Sequence, residues 1–383
     1  MRKRILMIAA CPFPGNRGTP SRILKMSESL SKRGYIVDVL TYYNKDFDYE
    51  GNLINIHRIR KIPFYNDNSP GPKIMKPLAD ILLYFKGKQL LKKNKYDLIH
   101  AHHIEGGYIG LKIKGKTKTP LVYDSHIILE EEIAFYKKFN FTFLKFVLMK
   151  IEGFCYSKSS GIVYVAQEAK DYIFSKRRID KPQLVLPTGT NVDEILQMVK
   201  TLKNPYSPSK IIRIVYTGSI AKYQNIEDII EVAKLCSKDN FKFYIVTGAS
   251  EEDGKYLQES ITNHKLSNVH LVYNASFKEQ MTYAAYAHIL LSPRHFLGGI
   301  PQKITNYAAL KKKIVASSGS VKILDEKSSY LYNGGNIKEF YKQLKLAISE
   351  KSMVRENNAF KIVKKYDWDY LVQKLDKFYG ELR

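Results

Sequence analysis

The sequence predicts an α/β protein built as two tandem open units, each a parallel sheet covered by helices. Three observations carry this expectation. The chain has 383 residues, enough for two domains of roughly 100–200 residues each. Short apolar runs alternate with segments of helical spacing, the pattern of strands joined by crossover helices. The rhythm halts in a stretch holding Pro187, Gly189, Pro205, Ser207, Pro208 and Ser209, then restarts.

The elements follow in order. Ile5–Ala10 is compact and apolar, and residues 20–33 place Ile23, Met26 and Leu30 on one helical face before Gly34. Tyr35–Tyr42, Leu53–Arg58, Leu98–Ala101, Pro120–Tyr123 and Ile162–Val165 continue the strands, with helices near 73–94, 105–114, 139–158 and 167–177 between them. Continuous apolar strands suit a sheet covered on both faces. Met1-Arg2-Lys3-Arg4 ahead of Ile5–Cys11 imitates a short signal peptide, but Pro12-Phe13-Pro14-Gly15 follows at once, so a buried first strand is expected. This gives a first domain over 1–190 and a linker over 191–210. The second domain, 211–354, repeats the pattern with strands at Ile211–Thr217, Phe241–Thr247, Val269–Tyr273, Ile289–Leu291 and Ile314–Ser317. Helices lie near 225–237, 252–263, 278–287 and 302–310, and 355–383 reads as a basic helical tail.

Composition narrows the function. Apolar residues make up 44% and charged residues 26%, which excludes a globally disordered chain. Lys plus Arg is 62 against 37 for Asp plus Glu, a net charge of +25. The excess favours an anionic partner, whether membrane surface, phosphorylated substrate or nucleic acid, although a lysine-rich proteome gives the same bias. No RNA- or DNA-binding motif accompanies it, so no nucleic acid is expected. No apolar run reaches the ~18 residues of a membrane span. Cys11, Cys155 and Cys236 stand far apart without a CxxC, which supports neither a zinc knuckle nor a disulfide framework. Buried thiols in a reducing compartment are expected.

Open parallel sheets bind ligands beyond the carboxyl ends of their strands, so the loops after strands hold the chemistry. The first loop, Cys11–Ser21, is neither GxGxxG nor GxxxxGK[ST], which removes the main support for a dinucleotide or P-loop site. Gly18 still lets backbone approach a ligand, and Thr19 or Ser21 can open a helix whose free N–H groups attract phosphate. His100, His102 and His103 crowd one strand end. Alternate histidines share a strand face and can bind metal, but only Glu105 stands near, so polar lining or packing is expected there. Tyr123-Asp124-Ser125-His126 puts His126 at the cleft edge, where it can donate to a sugar hydroxyl or share a proton. Glu130–Glu132 after it suit a helix start.

In the second half, Gly218 and Ser219 follow a strand and lead through Lys222 to a helix, a loop able to hold a diphosphate by backbone donors and one cation. Gly298, Gly299 and Ile300 precede Pro301, which suits a first helical turn. Lys303 then lies in that turn, where a cation opposes the helix dipole unless an anion is present. Asn306 is one turn further. Asp367-Trp368-Asp369 spells a DxD motif, but beside a helical pattern it reads as a helix start with a packed Trp. No metal site is expected.

Taken in order, Gly15–Gly18, Leu98–His102, Asp124–His126, Leu186–Gly189, Tyr216–Ser219 and Gly299–Ala316 resemble glycosyltransferase family 4, nucleotide-sugar-dependent enzymes with two Rossmann-like domains facing across a cleft, the GT-B fold. The resemblance implies a UDP- or GDP-sugar held by the second domain, a glycan or lipid-linked acceptor on the first, and transfer with retention and no metal or other cofactor. By the same analogy 355–383 packs back on the first domain. Cations and helix N-termini meet the leaving diphosphate, here Lys303, Lys222 and the backbone of Gly298–Ile300. His126 is the catalytic partner on the sugar side. The departures are specific. Two family glutamates fall on Gly298 and Asn306, and the usual Arg and Lys of the first loop fall on Ser219 and Gln224, with Lys222 nearby to compensate. Thr188-Gly189 stands for the common Asn-Gly. The alternative is therefore a catalytically weak relative that binds nucleotide or glycan. A cytoplasmic position at the inner face of the membrane fits Lys137–Lys158, where Phe139, Phe141, Phe143 and Phe146 lie among lysines. A core helix with a basic outer face has the same pattern.

Overall fold

A computed structural model describes residues 2–15, 18–44, 49, 51–63, 75–126, 142–295, 301–320 and 323–382. The chain divides into two compact units, Met1–Pro187 with Trp368–Arg383, and Thr188–Asp367.

The first unit is a seven-stranded sheet of β1 (Arg4–Pro12), β2 (Ile36–Tyr42), β3 (Asn55–Arg58), β4 (Leu98–His102), β5 (Leu121–Ser125), β6 (Gly161–Tyr164) and β7 (Gln183–Val185), ordered β3-β2-β1-β4-β5-β6-β7. Its strands pair in parallel. The apolar run near the N-terminus is the central strand, buried on both sides. Leu6, Ile8 and Ala10 face one core, with the helices Lys76–Lys93, His103–Lys114 and Thr142–Lys158. Ile5, Met7 and Ala9 face the other, with Gly18–Lys32 and Trp368–Glu381. This is the two-residue period of a doubly covered strand. Helix His103–Lys114 lies against the sheet through glycines. A Cβ at Gly106 would stand 2.9 Å from the Ile8 carbonyl oxygen, and one at Gly107 2.7 Å from the Tyr123 ring.

The second unit is a six-stranded parallel sheet of β8 (Ile212–Thr217), β9 (Phe241–Val246), β10 (Val269–Val272), β11 (Ile289–Ser292), β12 (Lys313–Ser317) and β13 (Tyr330–Tyr332), ordered β10-β9-β8-β11-β12-β13. Helices Glu227–Leu235, Lys255–Asn263 and Ile337–Ser349 cover one face and Phe277–Ala285, Gln302–Ala309 and Val354–Val363 the other.

Two boundaries differ from the sequence reading. The expected linker 191–210 contains helix Val192–Thr201, whose Val192 and Ile195 are buried in the second unit's core. Its flanking prolines and glycine make the segment look like a connector, yet its apolar residues keep helical spacing. The tail 355–383 is not one element. Val354–Val363 buries Ala359 and Val363 in the second unit, and only Trp368–Glu381 packs on the first. The break falls at Asp367, whose carboxylate accepts the Val192 N–H at 2.9 Å. Cys155 and Cys236 are buried as expected, and burial pushes their thiols up to about 12, whereas Cys11, at the end of the first strand, is only half-buried. Among the described residues no helix is long and apolar enough to cross a membrane.

Candidate active site

Both sheets reverse their strand order at a central strand. β1 lies between β2 and β4, and β8 lies between β9 and β11. Crossovers leave such a point in opposite directions and open a crevice at the carboxyl ends of the strands. Among the described residues, several singled out in the sequence follow strand ends in these sheets, and each unit builds its own cluster from them.

In the first unit the cluster centres on Asp124, the penultimate residue of β5, which is fully buried. Its Oδ2 has four nitrogens around it: Arg22 Nη2 at 3.1 Å, His102 Nδ1 at 3.2 Å, His100 Nε2 at 3.3 Å and His126 Nε2 at 3.5 Å. Alternation along β4 puts His100 and His102 on one face, with their rings stacked 4.6 Å apart. Arg22 comes from helix Gly18–Lys32 and also donates to the Pro187 carbonyl at 2.9 Å. Tyr379, from the C-terminal helix, closes the far side with its hydroxyl 2.5 Å from His100 Nδ1. Burial raises the cost of the Asp124 charge, but Arg22 and the histidines outweigh it and hold the carboxyl well below its ordinary range. Burial pushes His102 down to about 3 and lowers His103 and His126 as well. His100, His102 and Asp124 bring three ligand atoms within 4.8 Å of one another. A metal ion among them would meet the Arg22 guanidinium on the same carboxylate oxygen, so the donor set suits a proton network better than a cation.

In the second unit the cluster centres on Lys303, in the first turn of Gln302–Ala309. Its ammonium turns inward. Nζ donates to Tyr216 Oη at 2.6 Å and Gln224 Oε1 at 3.0 Å, and lies 3.9 Å from the centroid of the Tyr216 ring. Gly218, with φ +122°, lets the chain turn here, and a Cβ on it would stand 3.3 Å from that ammonium. Burial first, and the Arg294 guanidinium second, push Lys303 well below its usual range. Arg294 follows β11 and leans on the Tyr223 ring at 5.3 Å; its buried Nε has no hydrogen-bond partner among the described residues. Among the described residues neither cation forms an ion pair with a carboxylate. His295, the next residue, ties the two loops together. Its N–H donates to Asn225 Oδ1 at 2.9 Å, and its Nε2 lies 2.6 Å from Asp228 Oδ2.

The other expected residues are distributed as follows. Gly18 opens its helix in an exposed position with open space where a Cβ would stand. Ser219 is exposed, and its Oγ accepts the Ala221 N–H at 3.2 Å. Lys222 is exposed too, so Lys303, not Lys222, provides the cation at Gln224. Asn306 is buried, with its Oδ1 accepting from Thr190 Oγ1 at 2.8 Å. Gly298, Gly299, Ile300 and Glu130–Glu132 lie outside the described residues. Trp368 is buried over Arg22, 5.8 Å from the guanidinium, as a packed helix start. Sequence reasoning missed Arg294, Arg22 and Tyr379. Arg294 sits on irregular chain with no pattern around it, and the other two enter only through distant helices.

Two family models match the chain in succession. Glycosyltransferase Family 4 matches residues 17–194, and Glycosyl transferases group 1 matches 199–362. The chain belongs to glycosyltransferase family 4. This family 4 glycosyltransferase is 20% identical over 285 residues to the uncharacterized glycosyltransferase MJ1069 of Methanocaldococcus jannaschii, covering 72% of this chain and 71% of that one. Its fold is GT-B. Sucrose-phosphate synthase from Thermosynechococcus elongatus superposes with a TM-score of 0.81 at 14% identity, over 100% of this chain and 99% of that one. Anabaena Alr3699/HepE, solved in complex with UDP-glucose, gives a TM-score of 0.70 at 16% identity over 98% and 99%.

Proposed function

We propose that this family 4 glycosyltransferase transfers a sugar from a UDP- or GDP-sugar to a glycan or lipid-linked acceptor, with retention and without a metal. One observation carries the reading: Arg294 and Lys303 are two neighbouring, partly buried cations with no acidic partner among the described residues, beside the Gly218 turn. Such an arrangement is electrostatically unsatisfied until an anion arrives. A diphosphate answers it, and the same cations stabilise the charge that grows on the leaving group. Gly218, Ser219 and the backbone of Gly298–Ile300 are assigned to the phosphates, with Lys222 at the rim and Asn306 on the nucleoside. Gly18 and His126 are assigned to the first unit's side of the reaction, His126 facing a sugar hydroxyl. Proteins of the same fold have been solved with UDP, UDP-glucose and UDP-2-fluoro glucose.

A cytoplasmic position against an anionic membrane belongs to the same proposal. Helix Lys76–Lys93 exposes Leu78, Ile81 and Phe85 in one row, with Lys88 and Lys92 continuing it. Phe146 is exposed on Thr142–Lys158 with Lys150 over its ring at 5.2 Å. Apolar residues flanked by lysines suit an anionic interface.

Incubation with a panel of UDP-, GDP-, ADP- and CDP-sugars, read by released nucleoside diphosphate, tests the transfer. Release with one or more donors supports it. Binding without release favours the second reading, a weak or inactive relative, which the missing acids at Gly298 and Asn306 motivate. The Asn306 oxygen already engaged by Thr190 points the same way. Absence of binding to every nucleotide overturns both.

A further inference from the structure

The protons of the Asp124 cluster can be assigned one after another. Tyr379 must donate to His100 Nδ1, because that leaves His100 Nε2–H to donate to the carboxylate. His102 then has two choices. Its Nε2 is buried with no partner among the described residues. A proton there would be an orphan donor, costing roughly 1–3 kcal/mol, whereas a lone pair is cheaper to leave bare. The proton therefore sits on Nδ1, between Asp124 Oδ2 at 3.2 Å and His126 Nε2 at 3.0 Å. His126 Nε2 must accept from it. Its remaining proton is on Nδ1, the ring nitrogen turned away from His102.

We propose that His102 is a positioning residue that holds His126 in its Nδ1–H tautomer, so that His126 presents an N–H donor and not a lone pair to its ligand. Free imidazole side chains prefer the opposite tautomer, so the neighbour sets the form. The groups facing His126 are Arg22, His100, His102, His103 and Asp124. Burial keeps His102 neutral near pH 7, so it does not compete as a second charge. The role for His126 in transfer rests on the proposed function; the tautomer does not.

Nitrogen-15 spectra of the histidines in the full chain, with no substrate present, read the tautomer directly. The expected result is a pyrrole-like Nδ1 and pyridine-like Nε2 for His126. In His102→Phe, His126 is expected to move its proton to Nε2 and donate to Asp124. In His102→Asn, whose amide N–H stands near the lost Nδ1–H, the wild-type form is expected to persist. A wild-type His126 protonated at Nε2 overturns the proposal, as does a folded His102→Phe with the tautomer unchanged. If His102→Phe does not fold, His126→Asn and His126→Gln replace it, since their amides mimic Nδ1 and Nε2 respectively. His126→Asn should then retain at least about tenfold more kcat than His126→Gln, the effect of one well-placed hydrogen bond. Equal kcat losses overturn the N–H donor role of His126 in transfer, while the wild-type spectrum alone decides the tautomer. The spectra need neither donor nor acceptor, so their failure is distinguishable from failure of the glycosyl-transfer reading.

Discussion

The two units bury charge in opposite ways. In the first, Asp124 is saturated, with a guanidinium and three imidazoles around one carboxylate oxygen. In the second, Lys303 and Arg294 have no carboxylate partner among the described residues, and burial first, with the Arg294 charge second, holds Lys303 well below its ordinary pKa. A saturated cluster stabilises its own fold and fixes orientation. An unsaturated one is held in place by the surrounding fold and gains when a ligand brings the missing charge. Disruption should therefore register as lost stability in the first unit and as lost binding in the second.

The largest effect is expected at Arg22. Arg22→Met strands the Asp124 carboxylate in the interior and should cost about 3–5 kcal/mol of stability, read by urea unfolding. A variant as stable as the parent would break the contrast. Next, Lys303→Ala or Arg294→Ala should weaken nucleoside diphosphate binding by about ten- to a hundredfold in calorimetry, the value of one charge-assisted hydrogen bond. The unfolding midpoint should hold or rise, because a mutual repulsion has gone. A bound anion should raise the Lys303 pKa back toward its ordinary value, so binding should tighten, not weaken, as pH falls through the range where Lys303 titrates.

Acid should separate the clusters further. His102, His103 and His126 have lowered pKa values in the fold, so below pH 6.5 the unfolded chain takes up protons that the folded chain does not. Their contribution is present in full above pH 6.5 and falls as pH drops from there, by about 1.4 kcal/mol per pH unit for each histidine while it stays neutral in the fold. Urea midpoints at several pH values between 5 and 7.5 check the slope. A flat profile would mean these histidines titrate normally. The smallest effect is expected from Thr190→Val, which removes one buried hydrogen bond to Asn306 at about 1 kcal/mol. If the nucleotide dissociation constant shifts in the same variant, Asn306 reports on the ligand as well as on packing.

How far the sequence disclosed this depends on range. The alternation of strands and helices is local, so most strands, the tandem units and the doubly buried run Ile5–Ala10 were legible. The edge strands Gln183–Val185 and Tyr330–Tyr332 were not, because three residues cannot display a period. Lys303 was legible because a lysine in a first helical turn contradicts the dipole. Arg294 carries no such contradiction. Asp124 as a hub was hidden for a different reason: its partners Arg22 and His100 lie 102 and 24 residues away, and only the strand order brings them together.

The return of the chain after Asp367 sets an order of assembly. Trp368, Leu371, Leu375 and Phe378 complete a core begun by Ile5, Met7 and Ile23, and Tyr379 supplies the hydroxyl on His100. On the ribosome, the unit synthesised first is therefore finished last. Until its closing helix emerges, the nascent first sheet has one apolar face covered only in part, by Gly18–Lys32, and His100 lacks the Tyr379 hydroxyl. Such an interval is where a chaperone would find a foothold.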